Sequence, residues 1–323
     1  DGESAYRAIC AAIEAAQHHV HVEYYIWEPD GIGTRLRDLL IAKAKAGVEV
    51  RLVVDATGSA GLKRGWRKPL REAGVQFAWF NPITFKFWRR RRADFRTHRK
   101  IVVCDGVVGF TGGMNVADAH SAEFGPGYWR DTHLGFAGPA VAALQRAFLE
   151  DWAYARGTLP TIDTAYFPAE ALRELGDHDA VQVVGSGPDD PAYAVYRTYF
   201  AAITAARQRL WITTPYFIPD DAIMTALAVA ALARVDVRVL VPKRGDSAIV
   251  DLAARSYFGE LLTAGVKIYE YEPRFIHAKT MVVDDDLAIV ATANLDNRSF
   301  RLNFELAALV YGGALTDQLA RAF

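Results

Sequence analysis

His98-Arg99-Lys100-Ile101-Val102-Val103-Cys104-Asp105 and His277-Ala278-Lys279-Thr280-Met281-Val282-Val283-Asp284 are two copies of one pattern, His-x-Lys, four residues, Asp. Each is trailed by a small-residue turn ending in Asn, Gly112-Gly113-Met114-Asn115 and Ala291-Thr292-Ala293-Asn294, and each Asn stands 17 residues after its His. Side chains alternate faces along a strand, so His98 and Lys100 project together, as do His277 and Lys279. The apolar runs that follow predict interior strands, and Asp105-Gly106 predicts a hairpin turn. The return strand then brings Asn115 back towards His98, and Asn294 towards His277.

The repeat extends outward into a duplicated fold. Ala5 to Tyr25 parallels Val195 to Thr213, each an amphipathic helix followed by a strand. Val48 to Val54 parallels Val235 to Val241, and Ala73-Gly74-Val75 parallels Ala264-Gly265-Val266, with Gly ending a helix before a strand. Strands alternating with helices, twice over, predict two similar α/β lobes, each a mixed sheet flanked by helices. We place the first lobe at 1–165 and the second at 166–323, the junction falling in the turn-rich Gly157 to Asp179 stretch. Leu144 to Phe148 resembles Leu319 to Phe323, so the sequence is expected to end inside a helix.

Composition is that of a globular chain: 323 residues, 51% hydrophobic, 23% charged. Two cysteines, Cys10 and Cys104, make no disulfide framework, and Cys104 in its apolar run reads as a buried thiol. No run reaches the ~18 apolar residues of a spanning helix; the longest, Ala222 to Ala233, reads as a packed helix. The net charge of −1 hides an uneven distribution. Thirteen Lys or Arg lie between Lys63 and Lys100 against two acids, Glu72 and Asp94, leaving 24 bases and 36 acids elsewhere.

The paired residues suit phosphodiester chemistry. Lys100, Lys279 and the amides of Asn115 and Asn294 can neutralise or hydrogen-bond non-bridging oxygens. One neutral imidazole can attack phosphorus while the other protonates the leaving alkoxide. Each motif supplies half of this apparatus, so both lobes must bring their imidazoles to one phosphorus atom. Asp131 and Glu305 are the candidate carboxylates for orienting the imidazoles, each following its own His by a comparable distance. Asp105 and Asp284 stand at turns, where a structural cap competes with a catalytic role. Glu23, on an apolar strand, needs a buried partner. The cluster His18, His19, His21 lacks the Cys or spaced acid of a metal site. No metal and no cofactor is expected, because two lysine ammoniums would repel a dication.

These motifs resemble the phospholipase D superfamily. Thr111 to Asn115, Trp129-Arg130-Asp131-Thr132-His133, Ala293 to Phe300 and Leu302 to Glu305 are similar to bacterial cardiolipin synthases, and the likeness runs from about Ser4 to the end. The resemblance implies a two-lobed α/β fold and a phosphohistidine intermediate. It also implies transfer of a phosphatidyl group between two phosphatidylglycerol molecules, giving cardiolipin and glycerol. By that likeness His98 is the nucleophile and His277 the acid/base, although the near-symmetry of the halves leaves the order open. The sequence departs from the family at Ala291-Thr292, where Gly-Ser is common, and in lacking the usual N-terminal membrane helices.

The stretch Phe85 to Arg92 reads as an interfacial anchor, with Phe87 and Trp88 at the headgroup boundary and Arg89, Arg90, Arg91 and Arg92 on anionic lipid phosphates. The expected partners are therefore anionic phospholipid and a membrane surface, with association at the inner membrane of a bacterium; nucleic acid is not expected. The rival readings are a phospholipase D releasing phosphatidic acid, a metal-independent phosphodiesterase or nuclease, and a lipid-binding module without activity.

Overall fold

The computed structural model describes residues 2–82, 94–169, 171 and 179–323. It divides into two compact units, Asp1–Pro126 with His133–Asp177, and Gly127–Thr132 with His178–Phe323. The short segment Gly127–Thr132 thus belongs with residues far along the chain.

In the first unit the helix Gly2–Ala15 buries Tyr6, Ile9 and Ile13, the spacing of one helical face. Strand His19–Tyr24 runs parallel to Glu49–Asp55, which runs parallel to Gln76–Phe80. The crossovers are the helices Gly31–Lys45 and Arg64–Glu72. Asp30 caps the first of these, accepting from Gly33 N at 2.9 Å. The helix Arg64–Glu72 ends at Ala73, and Gly74 follows with φ +90°, as Gly265 does with φ +99° in the second unit. Both glycines occupy the left-handed position that L side chains avoid.

The motif strand Ile101–Cys104 lies antiparallel to His19–Tyr24, and Val108–Gly112 and His133–Ala137 complete a six-stranded mixed sheet. Asp105 (φ 55°) and Gly106 (φ 66°) form the hairpin turn, closed by Val107 N donating to Cys104 O at 3.0 Å. Alternation sorts the central strand. Val20, Val22 and Tyr24 join the apolar core with Ile9, Leu36 and Leu52, whereas His19, His21 and Glu23 face the helix Val141–Arg156.

The second unit repeats the plan. Arg209–Thr213, Asp236–Pro242 and Lys267–Tyr271 are parallel neighbours, and Thr280–Val283 pairs antiparallel with Arg209–Thr213. Leu287–Ala291, Asn303–Tyr311 and Ala180–Ser186 then follow in antiparallel order. The Ala-rich run is the helix Asp221–Leu232, capped by Asp220 through Ile223 N at 3.0 Å. Its core side carries Ile223, Met224 and Leu227. Two similar α/β lobes, each a mixed sheet flanked by helices, are the fold. Among the described residues no helix is long and apolar enough to cross a membrane.

Candidate active site

The first half-site stands at the mouth of the strand Ile101–Cys104. His98, Lys100 and Asn115 are all buried, Lys100 completely. Lys100 Nζ donates to His98 O at 2.7 Å, which holds the ammonium back on its own backbone. The ring of Tyr25 stands edge-on to the His98 imidazole, with centroids 5.1 Å apart, and its face lies 5.7 Å from the Lys100 ammonium. Asn115 is fixed through its main chain: its O accepts from the Tyr6 hydroxyl at 2.6 Å, and its N donates to His120 Nε2 at 3.4 Å.

Arg99, between the two motif residues, takes the other face and pairs with Asp151 at 2.7 Å. Beside that pair Thr97 Oγ1 donates to Glu23 Oε1 at 2.5 Å. Burial, together with the Asp151 carboxylate, pushes the Glu23 carboxyl well up. The buried acid thus belongs to a layer of charge beneath the His98 segment.

The second half-site is built alike around His277, Lys279 and Asn294, all buried. Arg130 N donates to Phe275 O at 2.8 Å and His277 N donates to Arg130 O at 2.7 Å, so the segment Gly127–Thr132 lies alongside the approach to the motif. This docking carries Asp131 to His277, where Asp131 Oδ2 and His277 Nδ1 are 2.7 Å apart. A carboxylate on Nδ1 selects the tautomer that leaves the Nε2 lone pair for chemistry. The rings of Trp129 and Phe275 wall the imidazole at 5.3 and 5.9 Å.

Lys279 Nζ donates to His277 O at 2.5 Å. Burial pulls its ammonium down to about 8, opposed by the carboxylates of Asp131, Glu305, Asp296 and Asp246. Glu305, fully buried, accepts from Thr292 Oγ1 and from Asn303 Nδ2, the latter at 3.2 Å. The Thr292 hydroxyl therefore holds a carboxylate. Each half-site presents imidazole, ammonium and amide groups, a donor set for anionic oxygens.

Sequence order misassigned one carboxylate. Asp131 follows His98 by position yet is bonded to His277, 146 residues away. Arg130 does not pair with its carboxylate but donates to the Asp131 and Thr132 oxygens, and Arg301 pairs with Asp220. The motif aspartates sit at the far end of their strands. Asp105 accepts from the backbone N of Gln17, His18 and His19 at 2.7 to 2.9 Å. Asp284 accepts from Arg207, Gln208 and Arg209 at 2.7 to 3.2 Å. Burial pushes both carboxyls up, but these bonds outweigh it and hold them below their ordinary range. They also tie the preceding helix–strand loop to the motif hairpin.

Two residues escaped the sequence reading: His120 and Ser299 each receive the backbone N of the motif Asn, five positions earlier. Their equal spacing was the available signal. His19 and His21 are buried against Gln145, at 3.0 and 2.8 Å, and His21 stacks on Phe148. The segment Phe87 to Arg92 lies outside the described residues.

The family model described as cardiolipin synthase, phospholipase D-like domain, matches residues 9–123 and 199–323, which hold the two His-x-Lys motifs. A protein named cardiolipin synthase 2 from Bacillus cereus is 48% identical over the whole of this chain, which covers 62% of that protein. A cardiolipin synthase from Geobacillus sp. (strain WCH70) is 46% identical, again over the whole chain and 64% of its own length. The chain thus spans less than two thirds of these relatives. A phosphatidylserine synthase structure from Haemophilus influenzae Rd KW20 shares the fold, with a TM-score of 0.75 at 16% identity over 99% of this chain and 83% of that one. With both motifs inside the matched segments, the chain belongs to the phospholipase D superfamily, in the cardiolipin synthase family.

Proposed function

We propose that this chain carries the catalytic apparatus of a phosphatidyl transferase that makes cardiolipin and glycerol from two molecules of phosphatidylglycerol, at a bacterial membrane. The observation that carries the reading is the doubled His, Lys and Asn set, with His277 oriented through Nδ1 by Asp131. The names of the relatives supply the substrate class.

In the proposed reaction the His98 imidazole attacks phosphorus of the first phosphatidylglycerol. The bond from phosphorus to the glycerol oxygen breaks, and that oxygen takes a proton from the His277 imidazolium. Glycerol departs and the phosphatidyl group remains on His98 nitrogen. A hydroxyl of the second phosphatidylglycerol then attacks phosphorus, giving its proton to the now neutral His277, and the nitrogen–phosphorus bond breaks. Lys100, Lys279, Asn115 and Asn294 meet the charge on the non-bridging oxygens.

The test is a rapid denaturing quench with phosphatidylglycerol labelled in its phosphate, followed by mapping of the modified residue. Label on His98, absent in His98→Ala, is expected; label on His277 would reverse the two roles, and no covalent label would reject the intermediate. Product analysis on phosphatidylglycerol alone separates transfer from hydrolysis, since hydrolysis leaves phosphatidic acid.

A further inference from the structure

Two cavities of the first unit differ in how their charges are balanced. Between the helices Gly2–Ala15 and Gly31–Lys45, Arg7 pairs with Glu3 at 2.8 Å and Arg35 with Glu123 at 2.6 Å, so the cations are already neutralised. The other cavity, about 450 Å³, opens beside Gln76–Phe80, the terminal strand of the sheet order. Arg64, Arg67, Lys68 and Arg71 of one helix and Arg156 of another line it, and among the described residues no acid does.

Lys68 reaches Glu72 at 3.6 Å in an exposed pair, but among the described residues Arg64, Arg71 and Arg156 are in no ion pair. Arg67 is held in place by Leu62 O at 2.9 Å, with its guanidinium over the rings of Phe77 and Trp79 at 5.6 and 5.1 Å. The cavity therefore combines a fixed guanidinium, apolar rings and three arginines in no ion pair among the described residues, one of them, Arg156, over the Trp152 ring at 5.8 Å. Guanidinium forks match phosphate oxygens, and Trp and Phe beside basic groups suit the headgroup boundary.

We propose that this cavity is an anionic-phospholipid headgroup site, separate from the residues of both motifs, that seats the first unit on a membrane surface. Its size suits one headgroup rather than a groove tracking a polynucleotide. Outside residues 63–100 the chain carries 24 bases against 36 acids, which opposes a long polyanion elsewhere on the molecule. The inference does not need the phosphatidyl-transfer reading, because binding is measured without turnover.

The experiment is sedimentation of the intact chain with phosphatidylcholine vesicles, with and without about a quarter phosphatidylglycerol, at near-physiological salt. A surface charge contributes about a fivefold factor in partition, so Arg64→Gln/Arg71→Gln/Arg156→Gln should lower binding to the anionic vesicles on the order of a hundredfold. The corresponding triple Lys variant should retain most of the binding. If the triple Gln variant fails to fold by its urea transition, Arg71→Gln/Arg156→Gln carries the same test, with a loss on the order of thirtyfold expected. Unchanged binding by the folded variant would overturn the proposal. So would binding of inorganic phosphate that the triple Gln variant loses, with vesicle binding unaffected by added phosphate, which would mark a free-phosphate site. Loss of single-stranded oligonucleotide binding with vesicle binding intact would assign the arginines to nucleic acid instead.

Discussion

The two half-sites keep the same chemistry on different supports. In the first, the residue between His98 and Lys100 is Arg99, locked to Asp151 beneath the segment. In the second it is Ala278, packed with Leu240 and Ile276. The turn position is Gly113 in one and Thr292 in the other, where the hydroxyl holds Glu305. The aromatic neighbour is Tyr25 in the first and Trp129 with Phe275 in the second. What the duplication preserved is the set of groups that can meet a phosphodiester; the layer beneath diverged because packing accepts either an ion pair or a small apolar side chain.

Removing chemistry should hurt both halves alike. His98→Ala and His277→Ala are each expected to lower kcat roughly a thousandfold or more, the combined scale of nucleophilic and acid–base contributions. Asp131→Asn should lower kcat by a comparable factor with little change in KM, since the amide no longer fixes the His277 tautomer. Steady-state kinetics on phosphatidylglycerol in mixed micelles check this. Full activity in Asp131→Asn would reduce the His277–Asp131 bond to a structural contact.

Removing support should hurt them unequally. Arg99→Ala takes the guanidinium away from Asp151, and breaking a buried pair costs about 3–5 kcal/mol. Ala278→Gly, at the equivalent position, should cost only about 1 kcal/mol. Urea unfolding of the two variants measures the contrast; equal losses would show that the ion pair contributes no more than the methyl group.

Much of this was legible because it is local. The Asp-Gly turn, the alternation of His98, Arg99 and Lys100, and Gly74 and Gly265 after their helices are each dictated within a few residues. The partner of His277 was not legible. Asp131 reaches it through backbone bonds from Arg130 to Phe275 and His277, and nothing in the local sequence of either strand specifies that docking. The burial of Glu23 was readable from its strand, but its neighbours Thr97 and Asp151 come from distant segments.

Lys279 sets function against stability. Burial holds its ammonium at about 8, against an ordinary value near 10.4. Between those values the unfolded chain binds more protons than the folded one, so this group makes stability rise with pH across that window. At neutral pH the buried charge costs the fold roughly 3 kcal/mol. Lys279→Met should therefore raise the urea midpoint at pH 7 while nearly abolishing activity, and the gain should shrink as pH rises through the window. A destabilised Lys279→Met variant would mean that the bond to His277 O outweighs desolvation.

The smallest effects on turnover should fall on the motif aspartates, and here the two units should again agree. Asp105 and Asp284 each gather three backbone N–H groups of the loop before the central strand. Replacement by Ala strands those donors at a partly exposed site, so each should cost about 1–2 kcal/mol. The motif His and Lys stand at the other end of the strand, so kcat of the folded variant should hold within about threefold, a loss under 1 kcal/mol. Both carboxyls titrate below their ordinary range in the fold. Their contribution is thus present above the unfolded carboxylate value near 4 and is lost as pH falls through the lower folded value. The wild type should lose that part of its stability on acidification, and Asp105→Ala and Asp284→Ala should show a shallower acid dependence. A large kcat loss in either, with the urea midpoint unchanged, would return that aspartate to the chemistry and break the equivalence of the two hairpins.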